Sequence, residues 1–349
     1  MKITIRKIAE LTGVSRGTVD KVIHNRPGVS DDVRMLVQNK INELGYVPVQ
    51  HTSLKNGSEK KYTIAVIIPR PSNPFFKKVK DGMDAARLYY HDKNVHVLYR
   101  YCGGSSVSEV LKIVHELLEQ PINGIILRGM QSRRLRECIN ELTDRGIPIV
   151  LYDSDVPGAR RFCMVGEDSC TSGRVAASLL AKSIGEQGEV AVMGGLPDVV
   201  THQTRLQGFT EVMRTRYPNI QIVEVIDSND RSVIAYEKTG KLLQKYPNLR
   251  GIFNVVGCTE DIGLSLIERH RDDVHIVCYN FTDDVIALVK RGIVSFAIGL
   301  APYQQGMIAV RTLLDYLIND TTPAASFVET PILIGVDENI DVLAHNNSI

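Results

Sequence analysis

The sequence predicts an α/β protein in two parts: a small all-α helix-turn-helix headpiece, then a two-lobed domain built on doubly wound parallel sheets. Three observations carry that prediction. Within the first 46 residues, apolar positions recur at helical spacing in three short runs. A polar stretch, Pro48 to Lys61, contains Asn56-Gly57-Ser58 and reads as a linker. From Tyr62 onward, apolar strand-like runs alternate with helical segments, and the rhythm restarts at Gly188.

Taking the elements in order, Thr4 can cap a first helix whose apolar residues Ile5, Ile8, Ala9 and Leu11 fall on one side. Thr12-Gly13-Val14 makes a tight turn, with Gly13 free to take positive φ. Ser15 caps a second helix, which leaves Arg16, Gly17 and Thr18 as its exposed first turn and Val14, Val19, Val22 and Ile23 as its inner face. Ser30 caps a third helix, Asp31 and Asp32 suit the positive end of its dipole, and Val33, Leu36, Val37, Ile41 and Leu44 supply its buried stripe. A helix, a glycine turn and a second helix with a basic leading end is the geometry that places a helix in the DNA major groove.

Composition agrees. The 349 residues exceed one compact core, and 44% hydrophobic with 23% charged content describes an ordinary soluble protein. Residues 1–60 hold ten Lys/Arg against six Asp/Glu, a balance of +4, whereas the remainder stands at −3. The basic excess thus sits on the small unit that would face DNA. No apolar run approaches a membrane span, and Arg6, Lys7 and Glu10 interrupt any signal-peptide core, so a cytoplasmic protein without membrane contact is expected. The six cysteines show no metal-ligand spacing and read as reduced thiols; neither metal nor cofactor is expected.

The string Gly13-Val14-Ser15, Thr18-Val19, Val22-Ile23, Arg26-Pro27, Val29-Ser30 and Glu43-Leu44-Gly45-Tyr46-Val47-Pro48 resembles the headpiece of the lactose-repressor (LacI) family of bacterial transcription regulators. The resemblance implies that Thr4, Ser15, Arg16, Gly17, Thr18, Lys21 and His24 meet DNA. Arg16 and Lys21 would read bases, while Ser15 and Thr18 hold phosphates. Gly17 offers no side chain for readout, Asp20 stands where the family usually has Ser, and His24 replaces a usual Asn. In the family the linker folds into a short helix that wedges a Leu into the minor groove. Here Val49 and Thr52 replace its Asn and Ala, Lys55 stands at the Leu position, and Leu54 is the candidate wedge one residue early.

In the large part, Thr63–Ile68, His96–Arg100, Gly124–Leu127 and Pro148–Tyr152 read as strands of a first sheet, and a helix follows from Pro74 to Tyr90. Gly188–Met193, Ile222–Ile226, Gly251–Val256 and His275–Tyr279 belong to a second. Ligands of such sheets bind beyond the carboxyl ends of strands. Ser72-Asn73-Pro74-Phe75-Phe76 occurs after the first strand, Asp153 follows Tyr152, and Arg205 opens Arg205-Leu-Gln-Gly-Phe209. With Gly146–Asp153, these residues look like the type I periplasmic binding protein fold, nearest its ribose-binding branch. The resemblance implies a small-molecule effector (sugar, polyol or sugar phosphate) held by Asn73, Phe75, Phe76, Asp153, Arg205, Asn229 and Asn280. Arg128, with Arg70, lies just past a strand end where it could meet an acidic or phosphorylated ligand. Ser154, Asn280, Leu300, Gly257 and Asn229 replace groups of the ribose pattern, which argues against ribose itself.

The expected partition is therefore a headpiece at 1–47, a hinge at 48–61 and a ligand-binding domain at 62–349. Lobe 1 would comprise about 62–166 and 301–328, and lobe 2 about 167–300 and 329–349. The expected function is a sequence-specific regulator, a repressor and homodimer, whose affinity for double-stranded operator DNA is set by the effector. The rival is a solute-binding or sensor protein with weak or atypical DNA binding. No GxGxxG, P-loop lysine, GxSxG elbow or zinc motif supports an enzyme.

Overall fold

The computed structural model describes residues 5–23, 28–44, 60–103, 106–194 and 199–346. It divides into two compact units, residues 1–59 and 60–349. Thr4, His24 and Leu54 lie outside the described residues.

In the small unit, α1 (Ile5–Thr12), α2 (Arg16–Ile23) and α3 (Asp31–Leu44) enclose Ile8, Ala9, Val19, Val22, Val37 and Ile41. Gly13 takes φ of 68°, so the turn between α1 and α2 uses the left-handed conformation that the sequence suggested. Leu11 and Leu36, expected on the inner faces, are both 48% exposed. Three short helices surround a small volume, and only a few side chains from each reach its centre.

The large unit runs β1 (Tyr62–Pro69), α4 (Pro74–Leu88), β2 (Val95–Cys102), α5 (Val107–Leu117), β3 (Gly124–Arg128), α6 (Arg133–Asp144), β4 (Ile149–Tyr152) and β5 (Cys163–Gly166). It continues through α7 (Ser169–Ser183), β6 (Gly188–Gly194), α8 (Val200–Arg216), β7 (Ile220–Asp227), α9 (Ser232–Lys245), β8 (Leu249–Asn254), α10 (Thr259–Glu268), β9 (His275–Tyr279) and α11 (Asp283–Lys290). The last elements are β10 (Val294–Gly299), α12 (Pro302–Asn319), β11 (Phe327–Glu329), β12 (Leu333–Gly335) and α13 (Ile340–Asn346).

These strands form two sheets with matching order, β11-β5-β4-β3-β1-β2 and β12-β10-β9-β8-β6-β7. Pairing is parallel except where β12 meets β10. Each central strand is covered by helices on both faces, which explains why β1 is buried along nearly its whole length. Strands β5, β10, β11 and β12 are not among those expected from sequence; β5, β11 and β12 are three or four residues long, too short for a periodic signal. The chain passes between the sheets at residues 167–168, 300–301 and 330–332.

Helix pairs beside each sheet approach through glycine. A Cβ on Gly82 of α4 would lie 1.9 Å from the Tyr303 carbonyl oxygen, and one on Gly306 of α12 would lie 1.9 Å from that of Val79. In the second lobe, Gly173 of α7 and Gly208 of α8 play the same part against the Arg205 and Cys170 carbonyls, at 2.0 and 2.1 Å. No side chain larger than hydrogen fits these crossings. The second of them fixes α8, and with it Arg205.

Candidate functional site

The leading end of α2 has the geometry of a helix that presents its first turn outward. Ser15 Oγ accepts from the Thr18 amide at 3.1 Å and lies 2.9 Å from Thr18 Oγ1, so both hydroxyls belong to the helix cap. Val19 and Val22 point inward, while Arg16, Gly17 and Lys21 are exposed. Arg16 and Lys21 therefore stand on the solvent face of a helix anchored by the core behind it.

In the large unit, an open cleft of about 340 Å³ lies between the lobes. Its position follows from strand order. In the first sheet the order reverses between β1 and β3, and the segments leaving their carboxyl ends carry Arg70, Asn73 and Arg128. The second sheet reverses between β6 and β8, and α8 and the turn after β8 supply the facing wall. Asn73, Phe75, Phe76, Arg128, Asp153, Arg205 and Asn280 all line this cleft.

Their roles differ. Asn73 Oδ1 accepts from the Phe75 amide at 2.9 Å, so this side chain caps α4 while facing the cavity. Phe75 belongs to the lobe core; Phe76 meets it edge-on at 5.2 Å and sits under Arg128, whose guanidinium is 5.5 Å from the ring centre. Arg128 Nε donates to Asp153 Oδ2 at 2.5 Å. Asp153 and Asn280 occupy equivalent places after β4 and β9, with φ of 63° and 70°. Their amides donate to Val165 and Ile298 of the next strands at 3.0 and 2.8 Å. Such left-handed non-glycine residues turn the backbone sharply at the strand end and mark positions where structure is held against preference.

Asn229 does not line the cleft. It is exposed at φ 53°, and the next residue, Asp230, at φ 56°, takes the place on the cleft wall. Two consecutive left-handed residues rotate the turn so that the expected side chain faces solvent. Asp230 Oδ1 accepts from the Gly257 amide at 3.0 Å.

Two partners were not legible in the sequence. Glu167, at the first lobe crossing, is buried, and its Oε1 accepts from Arg205 Nε at 2.8 Å and from Arg205 Nη2. The Arg205 guanidinium also lies 4.0 Å from the centre of the Tyr279 ring, and Ser172 Oγ donates to the Tyr279 hydroxyl at 3.0 Å. His202 is the second. Burial, then the nearby Arg205 and Arg128, hold its imidazole down to about 3, so it is neutral at physiological pH. Its Nδ1 is buried without a hydrogen-bond partner among the described residues. His202 lies one helical turn before Arg205, a spacing that places both on one side of α8.

Comparison with known proteins decides the lineage. Residues 64–321 match the periplasmic binding protein domain family, and residues 4–49 match the bacterial regulatory proteins of the lacI family. The chain belongs to the lacI family of bacterial regulators, with a periplasmic binding protein domain as its large unit. It is similar to catabolite control protein A of Priestia megaterium, at 25% identity over 95% of this chain and 97% of that one. It is also similar to the HTH-type transcriptional regulator DegA of Bacillus subtilis, at 27% identity over 81% and 82%. The large unit resembles the crystal structure of a sugar ABC transporter sugar-binding protein from Bacillus halodurans, with a TM-score of 0.72 and 26% identity over 81% of this chain and 99% of that one. As a lacI-family member the chain is a DNA-binding transcription regulator, and no described helix is long and apolar enough to cross a membrane.

Proposed function

We propose that the protein is a cytoplasmic homodimeric repressor whose grip on operator DNA is set by a sugar or sugar derivative bound between its lobes. The observation that carries this reading is the pairing, in one chain, of an exposed Arg16/Lys21 helix end with a polar cleft at the switch points of two sheets. Arg16 is suited to bidentate contact with guanine, and Ser15 and Thr18 to phosphate contact. Thr4, Lys21, His24 and Leu54 complete the proposed DNA face.

One recognition helix covers a half-site, so twofold pairing supplies the remaining affinity and specificity. In the cleft, Phe76 offers an apolar face, while Asn73, Asp153, Arg128, Arg205 and Asn280 offer hydrogen bonds to hydroxyls. Ligand held by both walls favours the closed arrangement of the lobes, and closure alters the spacing of paired headpieces. The sugar-binding protein resembled by the large unit supports the ligand class.

Footprinting of genomic fragments with the full chain tests the reading. Protection of a twofold-symmetric site that weakens steeply with added salt is expected. Absence of any protected site at low salt, with and without sugars, contradicts it.

A further inference from the structure

The cleft wall made by α8 is built for negative charge. Val199, Thr201 and His202 place the first turn of this seventeen-residue helix on the cavity, and no side chain caps it among the described residues. Among the described residues its first turn carries no acidic side chain, and the positive end of its dipole faces the cavity. Arg205 follows one turn later on the same side, and Arg128 reaches the cavity from β3.

Both arginines are held from behind. Asp153 takes Arg128 through Nε alone, and Glu167 takes Arg205 through Nε and Nη2. Both Nη nitrogens of Arg128 and Nη1 of Arg205 therefore have no protein partner among the described residues. His202 lies beside both: burial first, then Arg205 and Arg128, keep its imidazole neutral. Arg70, exposed at the mouth and without an ion pair among the described residues, adds a further cation. Among the described residues, Nδ1 of His202 is buried at this wall without a hydrogen-bond partner, as are Asn280 Oδ1 on the cleft and Glu167 Oε2 behind Arg205.

We propose that the natural effector carries an anionic substituent, a carboxylate or a phosphate ester, seated against the α8 N-terminus between Arg128, His202 and Arg205. The inference rests on the cleft being the effector site and narrows the ligand to sugar acids or sugar phosphates. An anion there would meet preoriented guanidinium donors and the helix amides, and would draw a proton onto His202. Neutral sugars would leave that imidazole unprotonated.

The test is isothermal titration of the full chain with matched probes: D-glucose, D-glucuronate and glucose 6-phosphate; D-ribose, D-ribonate and ribose 5-phosphate; and inorganic phosphate alone. An anionic probe is expected to bind at least about tenfold more tightly than its neutral counterpart. Preference for the sugar acids identifies a carboxylate seat, and preference for the esters a phosphate seat. The preference should shrink in Arg128→Gln, and also in Arg70→Gln, a rim change that does not threaten folding. Equal or tighter binding of the neutral sugars overturns the proposal, as does failure of every anion including phosphate to bind. Retention of the full preference in both variants overturns it too. In the first case the regulator reading stands; that reading falls instead if cleft ligands bind but leave DNA affinity unchanged.

Discussion

His202 and Glu167 show how much a single side chain decides here. A histidine held neutral by burial and by Arg205 and Arg128 titrates near 3 in the folded protein against 6.5 in an open environment. Between those values the unfolded chain takes up a proton that the folded chain refuses, so stability falls as pH drops through the window. The expected contribution is a loss of roughly 2 kcal/mol between pH 7 and pH 5, absent in His202→Gln. Denaturant melts of both proteins at the two pH values measure it; equal losses would place the imidazole in an ordinary environment. Glu167 compensates Arg205 at 2% side-chain exposure. Glu167→Ala strands that guanidinium and should cost about 3–5 kcal/mol, read as a lowered Tm. Neither residue carried a sequence signal. Glu167 lies between a short strand and a helix start, and His202 sits on a helix whose polar and apolar residues follow no clear face; their roles arise from distant strands that only folding brings near.

At the scale of elements, the same difference in legibility recurs. Strands such as β1 and β8 are buried continuous apolar runs that leave little ambiguity, and the half-exposed edge strands β2 and β7 are legible through their length of eight residues. Those missed are mainly short or edge pieces, whose pairing is imposed by the chain crossing between lobes. The headpiece was legible through Ser15 and Gly13, which act locally, but Leu11 and Leu36 misled because periodicity does not count how many residues a small core can hold. Glycine at the helix crossings is the element-scale constraint. Gly82→Ala or Gly173→Ala forces a methyl group into a facing carbonyl and should cost about 1–3 kcal/mol or more. Gly17→Ala, by contrast, meets only Ser15 Oγ at 3.7 Å and should leave Tm near that of the parent. In α2, Arg16→Ala should weaken binding to the preferred site by about 1–3 kcal/mol and relax base choice at one position, which binding to a panel of single-base operator variants would measure.

Across the whole molecule, the two sheets repeat one design. Asp153 and Asn280 turn the chain after equivalent strands, and glycine crossings lock a helix pair beside each sheet. The cleft is therefore assembled from loops borne on two rigid bodies joined by short crossings, an arrangement suited to a hinge. Cleft residues such as Asp153, at a strand end, and Arg205, within α8, could be identified from sequence because they follow a recognisable strand or open a recognisable segment. Asn229 could not be distinguished from Asp230, since one residue of turn geometry decides which faces the ligand. The most direct measurement is fluorescence anisotropy of a footprinted operator titrated with the full chain, with and without saturating cleft ligand. A change in DNA affinity of about 5–150-fold, equivalent to 1–3 kcal/mol of coupling, is expected, and it should vanish when Arg205 is replaced by Ala. Identical operator affinity with and without a ligand that demonstrably occupies the cleft would contradict control of the headpiece by the cleft.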